Sequence, residues 1–168
     1  MNTRITGLII AAFIFIGDQI VKYWVLTTLD LRNRGQVEVI GIFNFTYVEN
    51  HGVSLGMLTA DSAMERWLLV AMTGAISIGV LVWLWREKNR QDVMALGLIL
   101  GGALGNIVDR ARFGYVVDYA DLHFGDIRPF LVFNVADAAI TIGVVILLMR
   151  ALLVREKPKV PEKENADA

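Results

Sequence analysis

Hydrophobic residues in this chain fall into four long runs separated by shorter polar segments. The runs cover residues 5–24, 67–85, 93–108 and 135–153. A helix needs about 20 predominantly apolar residues to cross a bilayer, and only the third run is clearly shorter than that. The pattern therefore predicts an all-α polytopic membrane protein with four transmembrane helices in one domain, residues 1–155.

The segment of residues 31–57, between the first two runs, has a different periodicity. Phe43, Phe45 and Tyr47 alternate with other residues, so that they fall on one side of an extended chain. Alternation of this kind is typical of β-strands, and Gly41 can bend the chain between two of them. We expect a small β-sheet that lies on the membrane surface.

The glycines of the third run indicate close packing between helices. Gly97, Gly101 and Gly105 recur at intervals of four residues and therefore share one face of a helix. Small residues on one face let a second helix approach closely. We expect these glycines to serve packing and not chemistry.

The basic residues predict the orientation of the chain in the membrane. Arg4, the turn at residues 86–90 and the tail at residues 156–168 share one side of a four-span arrangement. Lys and Arg are enriched in cytoplasmic segments, so both termini are expected inside. The sheet and the connection at residues 110–134 then face outward. The tail is rich in proline and charge, and we expect it to be disordered.

The composition excludes several classes of function. The chain has 168 residues, of which 55% are hydrophobic, and a formal net charge of -1, so no global field favours nucleic acid. It contains no cysteine, which excludes disulfides and thiolate chemistry. His51 and His123 are the two histidines, whereas a zinc site needs three or four convergent ligands. We expect neither a metal nor a cofactor.

Two carboxylates, Asp118 and Asp137, stand at the ends of the outward connection where apolar sequence makes them costly. Both ends of that connection reach the same membrane surface, so the two can meet. Two carboxylates in one apolar site do not both ionise easily, so one holds a proton while the other stays anionic. Such a pair supplies an acid and a base for hydrolysis by water. Asp121 and Asp126 lie in the same connection with no apolar helix to bury them, and we expect both to be dispensable.

Asp137 also has a purely structural explanation. Asn134 is a good N-cap residue, and an acid at the third helical position is favoured by the helix dipole. Position alone does not decide between capping and catalysis for Asp137.

Polar side chains near the two acids extend the candidate site. Asn106 and Arg110 are four residues apart and share a helix face, and an arginine there would keep one carboxylate ionised. The alternative is that Arg110 is an interfacial arginine whose charged end reaches the water. Asp18 and Lys22 are also four apart, and we expect a structural ion pair.

Several motifs together resemble the lipoprotein signal peptidase family, also called signal peptidase II. They are Gly101 to Arg110, Val116 to Tyr119, Phe133 to Asp137, Asp18 with Lys22, and Asn50-His51-Gly52. They occur in the family's order between residues 17 and 141. Leu55 and Tyr119 stand where the family usually has phenylalanine.

The resemblance implies an aspartic endopeptidase of the bacterial inner membrane, with a periplasmic β-cradle and a short periplasmic helix, which we expect within residues 110–134. It would remove the signal peptide from diacylglyceryl-modified prolipoproteins, cutting just before the lipidated cysteine, and globomycin-type inhibitors would block it. Asp118 and Asp137 would be the catalytic dyad, with Asp18 and Lys22 as structural support. The residues implied to surround the dyad are Asn50, Gly52, Asn106, Arg110 and Asn134.

The remaining expectations concern partners and alternatives. Beyond its substrate, we expect the chain to contact membrane lipids and to be a monomer. A small proton-coupled transporter would also place acids in the membrane, and inverted repeats would favour it, but none is evident in the sequence. A structural membrane adaptor would leave the two acids unexplained.

Overall fold

The fold consists of four long helices and a small sheet. The computed structural model describes residues 3–52, 63–125 and 127–153. Asp126, Leu55 with the rest of residues 53–57, and the tail at 156–168 lie outside them. The elements are α1 Thr3–Thr27, α2 Leu31–Arg34, β1 Gln36–Ile40, β2 Phe43–Asn50, α3 Ala63–Arg86, α4 Arg90–Phe113, β3 Val116–Leu122 and α5 Val135–Leu153.

The predicted fold class is confirmed. In the described ranges, α1, α3, α4 and α5 are long and apolar enough to cross a membrane, and they include the four predicted runs. Large apolar side chains on the outer faces of these helices are exposed, among them Phe13 at 76% and Leu152 at 70%. Apolar faces of this extent are expected where lipid is the solvent.

Helix α4 is the centre of the bundle. Half of its apolar window is buried, a far larger share than in the other three spans. Its glycines make this possible, as the sequence predicted. A Cβ atom at Gly97 would lie 2.5 Å from the Gly7 carbonyl oxygen of α1, and one at Gly101 would lie 2.5 Å from that of Ala11. Larger side chains at these positions would push α1 away.

The sheet is antiparallel, with the strand order β1-β2-β3. It rests on the ends of α1 and α2, where Val25, Leu31, Val117 and Tyr119 form one buried apolar cluster. This buried cluster packs β3 against the ends of the two helices.

The structure corrects the expectation of a loop or short helix at residues 110–134. Helix α4 continues to Phe113 and ends at Gly114, whose φ of 91° is left-handed and favours glycine. Residues Val116–Leu122 then form β3, which pairs with β2. The short helix outside the spans, in the described residues, is α2. Because the partner strand lies far away in sequence, the local pattern did not reveal β3.

Candidate active site

Asp118 lies on β3 and its side chain is buried, at 1% exposure. Two amide groups hold its carboxylate. The Asn50 Nδ2 donates to Oδ2 at 2.9 Å and the Asn134 Nδ2 donates to Oδ1 at 2.6 Å. Burial raises the pKa of Asp118 to about 6; the charge of Asp137 adds to the rise, and the two amide hydrogen bonds oppose it. Asp118 therefore keeps its proton to a higher pH than an exposed aspartic acid does.

Asp137 lies in the first turn of α5 and is half-buried. Its Oδ2 accepts a hydrogen bond from the Asn134 backbone N–H at 3.3 Å, while the Asn134 Oδ1 accepts one from the Asp137 N–H at 2.9 Å. These reciprocal bonds have the form of a capping box. The Asn106 Nδ2 also donates to Asp137 Oδ1 at 2.8 Å. Capping is thus real, but it does not account for the third bond, which comes from another helix.

Asn134 and Asn106 join the two acids. The Asn134 Nδ2 that contacts Asp118 also lies 3.3 Å from Asn106 Oδ1, and Asn106 in turn donates to Asp137. The two carboxylates, on different elements, are therefore connected through two side-chain amides. The structure brings together the pair that the sequence singled out.

Arg110 lies one turn beyond Asn106 on α4, next to Gly52. A Cβ atom at Gly52 would lie 3.3 Å from Arg110 Nη2, and the φ of 84° at Gly52 also favours glycine. Within the described part of the chain, the Arg110 Nε is buried and has no hydrogen-bond partner. Its guanidinium interacts with Asp137 and Asp118 through space and not by direct hydrogen bonds. Arg110 is therefore placed beside the dyad with hydrogen-bonding capacity to spare.

Asp18 and Lys22 form the predicted ion pair, at 2.9 Å, and both are buried. The pair supports the site directly. Asp18 Oδ1 accepts a hydrogen bond from the Ala136 N–H of α5 at 3.0 Å, and the Lys22 Nζ donates to Asn106 Oδ1 at 3.3 Å. A buried ion pair is stable only when hydrogen bonds satisfy its remaining atoms, and these bonds do so.

Comparison with known proteins identifies the family. The family model described as signal peptidase (SPase) II matches residues 10–153. The chain belongs to the signal peptidase II family. It is 59% identical over 165 residues to the lipoprotein signal peptidase of Rhizorhabdus wittichii, covering 98% of this chain and 95% of that relative. It is 57% identical over 151 residues to that of Sphingopyxis alaskensis, covering 90% and 87%.

Two solved structures of bacterial membrane enzymes share the fold. The first, determined in meso at 2.3 Å, has a TM-score of 0.75 and 32% identity, covering 94% of each chain. The second, at 1.9 Å, has a TM-score of 0.74 and 34% identity, covering 88% of this chain and 92% of the other. The predicted resemblance to signal peptidase II is thereby confirmed, and the chain is a multi-pass bacterial membrane peptidase.

Sequence reasoning missed Asp109 as part of this candidate site. Its side chain is buried, and its Oδ2 lies 2.8 Å from Lys22 Nζ and accepts a hydrogen bond from the Val117 N–H of β3 at 3.1 Å. Asp109 thus ties β3, and with it Asp118, to α4. The signal was available, since an acid three residues after Asn106 in an apolar run is as costly as Asp18.

Asp121 was expected to be dispensable because no apolar helix is present to bury it; its side chain is nevertheless buried, and its dispensability stays a prediction. Its side chain is 1% exposed. The Thr46 Oγ1 donates to its Oδ2 at 3.0 Å, and Arg128 Nη2 lies 3.4 Å from the same oxygen. The sheet buries Asp121 without any apolar helix.

Tyr119 uses the hydroxyl that a phenylalanine would lack. The hydroxyl oxygen accepts a hydrogen bond from the Val135 N–H at 3.3 Å, and so joins β3 to the start of α5. In the part of the chain that the structure describes, no group of three or more His, Cys, Asp or Glu side chains is arranged to hold a metal ion.

Proposed function

We propose that the chain is an aspartic endopeptidase that removes the signal peptide from diacylglyceryl-modified prolipoproteins, cutting just before the lipidated cysteine. The observation that carries this proposal is the pair Asp118 and Asp137, connected through Asn134 and Asn106 in a membrane protein of the signal peptidase II family. The names of its relatives, lipoprotein signal peptidases, support the substrate class.

The dyad activates water without a metal. The ionised carboxylate takes a proton from a water molecule while the oxygen of that water attacks the carbon of the peptide carbonyl. The protonated carboxyl donates its proton to the oxyanion that develops on the carbonyl oxygen. When the C–N bond breaks, the leaving amine receives a proton from the dyad. Burial raises the pKa of Asp118 and the charge of Asp137 adds to that rise, so the proton on Asp118 is held more firmly while Asp137 is ionised.

The neighbouring polar groups orient the dyad and the substrate. Asn50 and Asn134 hold Asp118 from two sides, which fixes the direction of its oxygens. Among the described residues the buried Arg110 Nε has no hydrogen-bond partner, and a carbonyl oxygen of the substrate backbone would provide one. Gly52 leaves the guanidinium space, because any side chain there would press on it.

A proton-coupled transporter fits the arrangement less well. Transport needs titratable groups along a path through the bilayer. In the described residues, Asp18, Lys22 and Asp109 are bonded together beside the dyad, and Asp92 is paired with Arg150 at the far end of the bundle. The spans between these two layers are apolar. We therefore favour the peptidase.

Cleavage by the purified protein tests the proposal. In detergent or lipid it should cut a diacylglyceryl-modified prolipoprotein, should be blocked by globomycin, and should be indifferent to chelators. Loss of activity on chelation, or no cleavage by folded protein, would count against an aspartic mechanism.

Variants of the two acids test the dyad itself. Asp118→Asn and Asp137→Asn should each lower the rate by about 100- to 10,000-fold, and the double variant should be hardly worse, because the two act as one unit. Asp30→Asn is the matched control: Asp30 is exposed, and asparagine tolerates its φ of 51°. If Asp137 only caps α5, its asparagine variant would cap nearly as well and retain turnover.

A further inference from the structure

Two cavities flank the dyad, and each is lined by one of its acids. The first, of about 410 Å³, is lined by Asp118 and is called the Asp118 cavity. The second, of about 310 Å³, is lined by Asp137 and is called the Asp137 cavity. Leu131 lines both. Its side chain is therefore a shared wall between two spaces that open beside the reacting groups.

The two cavities differ in chemistry. The Asp118 cavity is bordered by Glu49, Asn50 and His51, whose polar atoms suit a peptide backbone. Apart from Asp137 and Thr141, apolar side chains line the Asp137 cavity: Leu122, Phe130, Leu131, Phe133, Ala138 and Ile142. An apolar space next to a catalytic carboxylate favours an apolar part of the substrate.

The Asp137 cavity is continuous with the surface of the chain that faces lipid. Ile142 lies on α5, one of the four apolar spans, and is 53% exposed. Phe130 and Leu131, at 60% and 87% exposure, extend the same apolar surface beyond the end of α5. An acyl chain can therefore enter the cavity from the bilayer without crossing a polar surface.

The segment that carries Leu131 is held in place at both ends. The Phe133 N–H donates to the Ala120 carbonyl oxygen at 3.0 Å, and the Ala120 N–H donates to the Phe133 carbonyl at 2.7 Å. At the other end, Arg128 pairs with the buried Asp121 of β3. The high exposure of Leu131 therefore belongs to an anchored segment.

We propose that the Asp137 cavity receives a fatty-acyl chain of the substrate's own diacylglyceryl group, and that Leu131 separates this chain from the peptide in the Asp118 cavity. The inference rests on the proposed function, and it adds the part of the substrate that each cavity binds. It makes Leu131 and Ala138 determinants of lipid specificity, acting on substrate binding and not on the chemical step.

Two variants test this assignment. Ala138→Leu fills the Asp137 cavity, and Leu131→Ala removes the exposed wall with little risk to folding. Each should raise KM for a diacylglyceryl substrate by about tenfold, the effect of roughly two methylene groups withdrawn from apolar contact, and leave kcat within about twofold. In the Ala138→Leu protein, the inhibition constant of a competing peptide that carries glyceryl without acyl chains should stay within about twofold of the wild-type value, because Ala138 lines the Asp137 cavity and not the Asp118 cavity.

The control is Ile127→Ala. Ile127 belongs to the same exposed segment, at 69% exposure, and lines neither cavity. This variant should leave the KM of the diacylglyceryl substrate and the inhibition constant of the glyceryl-only peptide unchanged. The proposal would be overturned if Ala138→Leu raised the KM of the acylated substrate and the inhibition constant of the glyceryl-only peptide by the same factor. It would also be overturned if the KM changed with the lipid of the surrounding bilayer and not with the acyl chains of the substrate. If the wild-type protein cleaved neither substrate, the proposed function would fail first.

Discussion

At the scale of single residues, the candidate site is built from polar side chains that each serve two purposes. Asn134 exchanges capping bonds with Asp137 and also donates to Asp118. Asp137 can therefore cap α5 and take part in catalysis at the same time. The sequence left these two roles open as alternatives, but they do not exclude each other. Only turnover by the asparagine variant measures the catalytic role.

The protonation of Asp118 gives a prediction at this scale. Because the hydrogen bond from Asn50 stabilises the ionised carboxylate, it lowers a pKa that burial has raised to about 6. Removing that bond with Asn50→Ala should raise the pKa further. We expect the pH profile of kcat/KM to have one limb near pH 6, and this limb should move to higher pH in the variant. A limb that stays in place or moves to lower pH would contradict the assignment to Asp118.

Arg110 gives a second prediction at the residue scale. Arg110→Lys keeps the positive charge but loses the planar arrangement of donors. If the guanidinium binds a substrate carbonyl, the variant should lose about tenfold or more in kcat/KM, as expected for one charge-assisted hydrogen bond. A folded Lys variant with full activity would mean that Arg110 acts through charge alone or only reaches the interface.

At the scale of elements, β3 is the part on which the site depends most. It carries Asp118, it is tied to α4 through Asp109, and it is tied to α5 through the Tyr119 hydroxyl. Three elements, namely β3, α4 and α5, thus determine where the carboxylate of Asp118 lies. A change that loosens β3 should lower activity without touching the dyad.

Asp121 tests the anchoring of β3. Asp121→Ala would leave the Thr46 hydroxyl and the Arg128 guanidinium without their acceptor, which typically costs about 1–3 kcal/mol for a buried group. We expect a clearly lower melting temperature in detergent. Arg128→Ala is the matched comparison, because it removes only the partner that is 61% exposed and leaves the Thr46 hydrogen bond to the buried Asp121 in place, so we expect a smaller loss. Equal stability of the two variants would mean that Asp121 does not anchor the strand.

At the scale of the whole molecule, the helix bundle places all of these groups at one end. The dyad, the ion cluster around Lys22 and the sheet lie together, whereas the basic turn at residues 86–90 lies at the other end with Arg4, which stacks on Trp85. Lys and Arg concentrate on the cytoplasmic side of membrane proteins. We therefore propose that both termini are cytoplasmic and that the active site faces the periplasm.

The absence of cysteine makes this orientation easy to test. Single cysteines can replace Arg32, which is 63% exposed beside the sheet, or Lys88, which is exposed in the basic turn. In intact cells with a permeable outer membrane, an impermeant maleimide should label the cysteine at position 32, and the one at position 88 only after lysis. The reverse pattern would place the active site in the cytoplasm.

The sequence by itself determined the four spans, the close helix packing and the two principal acids. Apolar length and the cost of a carboxylate in apolar sequence are local properties, so Asp118 and Asp137 stand out without a structure. The spacing of Asp18 and Lys22 is likewise local, because one helical turn brings them together.

Only the tertiary structure decided which residues are joined across elements. Strand β3 gains its hydrogen bonds from β2, which lies far away in sequence, so its own residues resembled a connection. The same pairing buries Asp121, and the approach of α4 to α1 turns Asp109 into a partner of Lys22. Burial and pairing depend on neighbours that the fold supplies, and no pattern within a short stretch of sequence contains them.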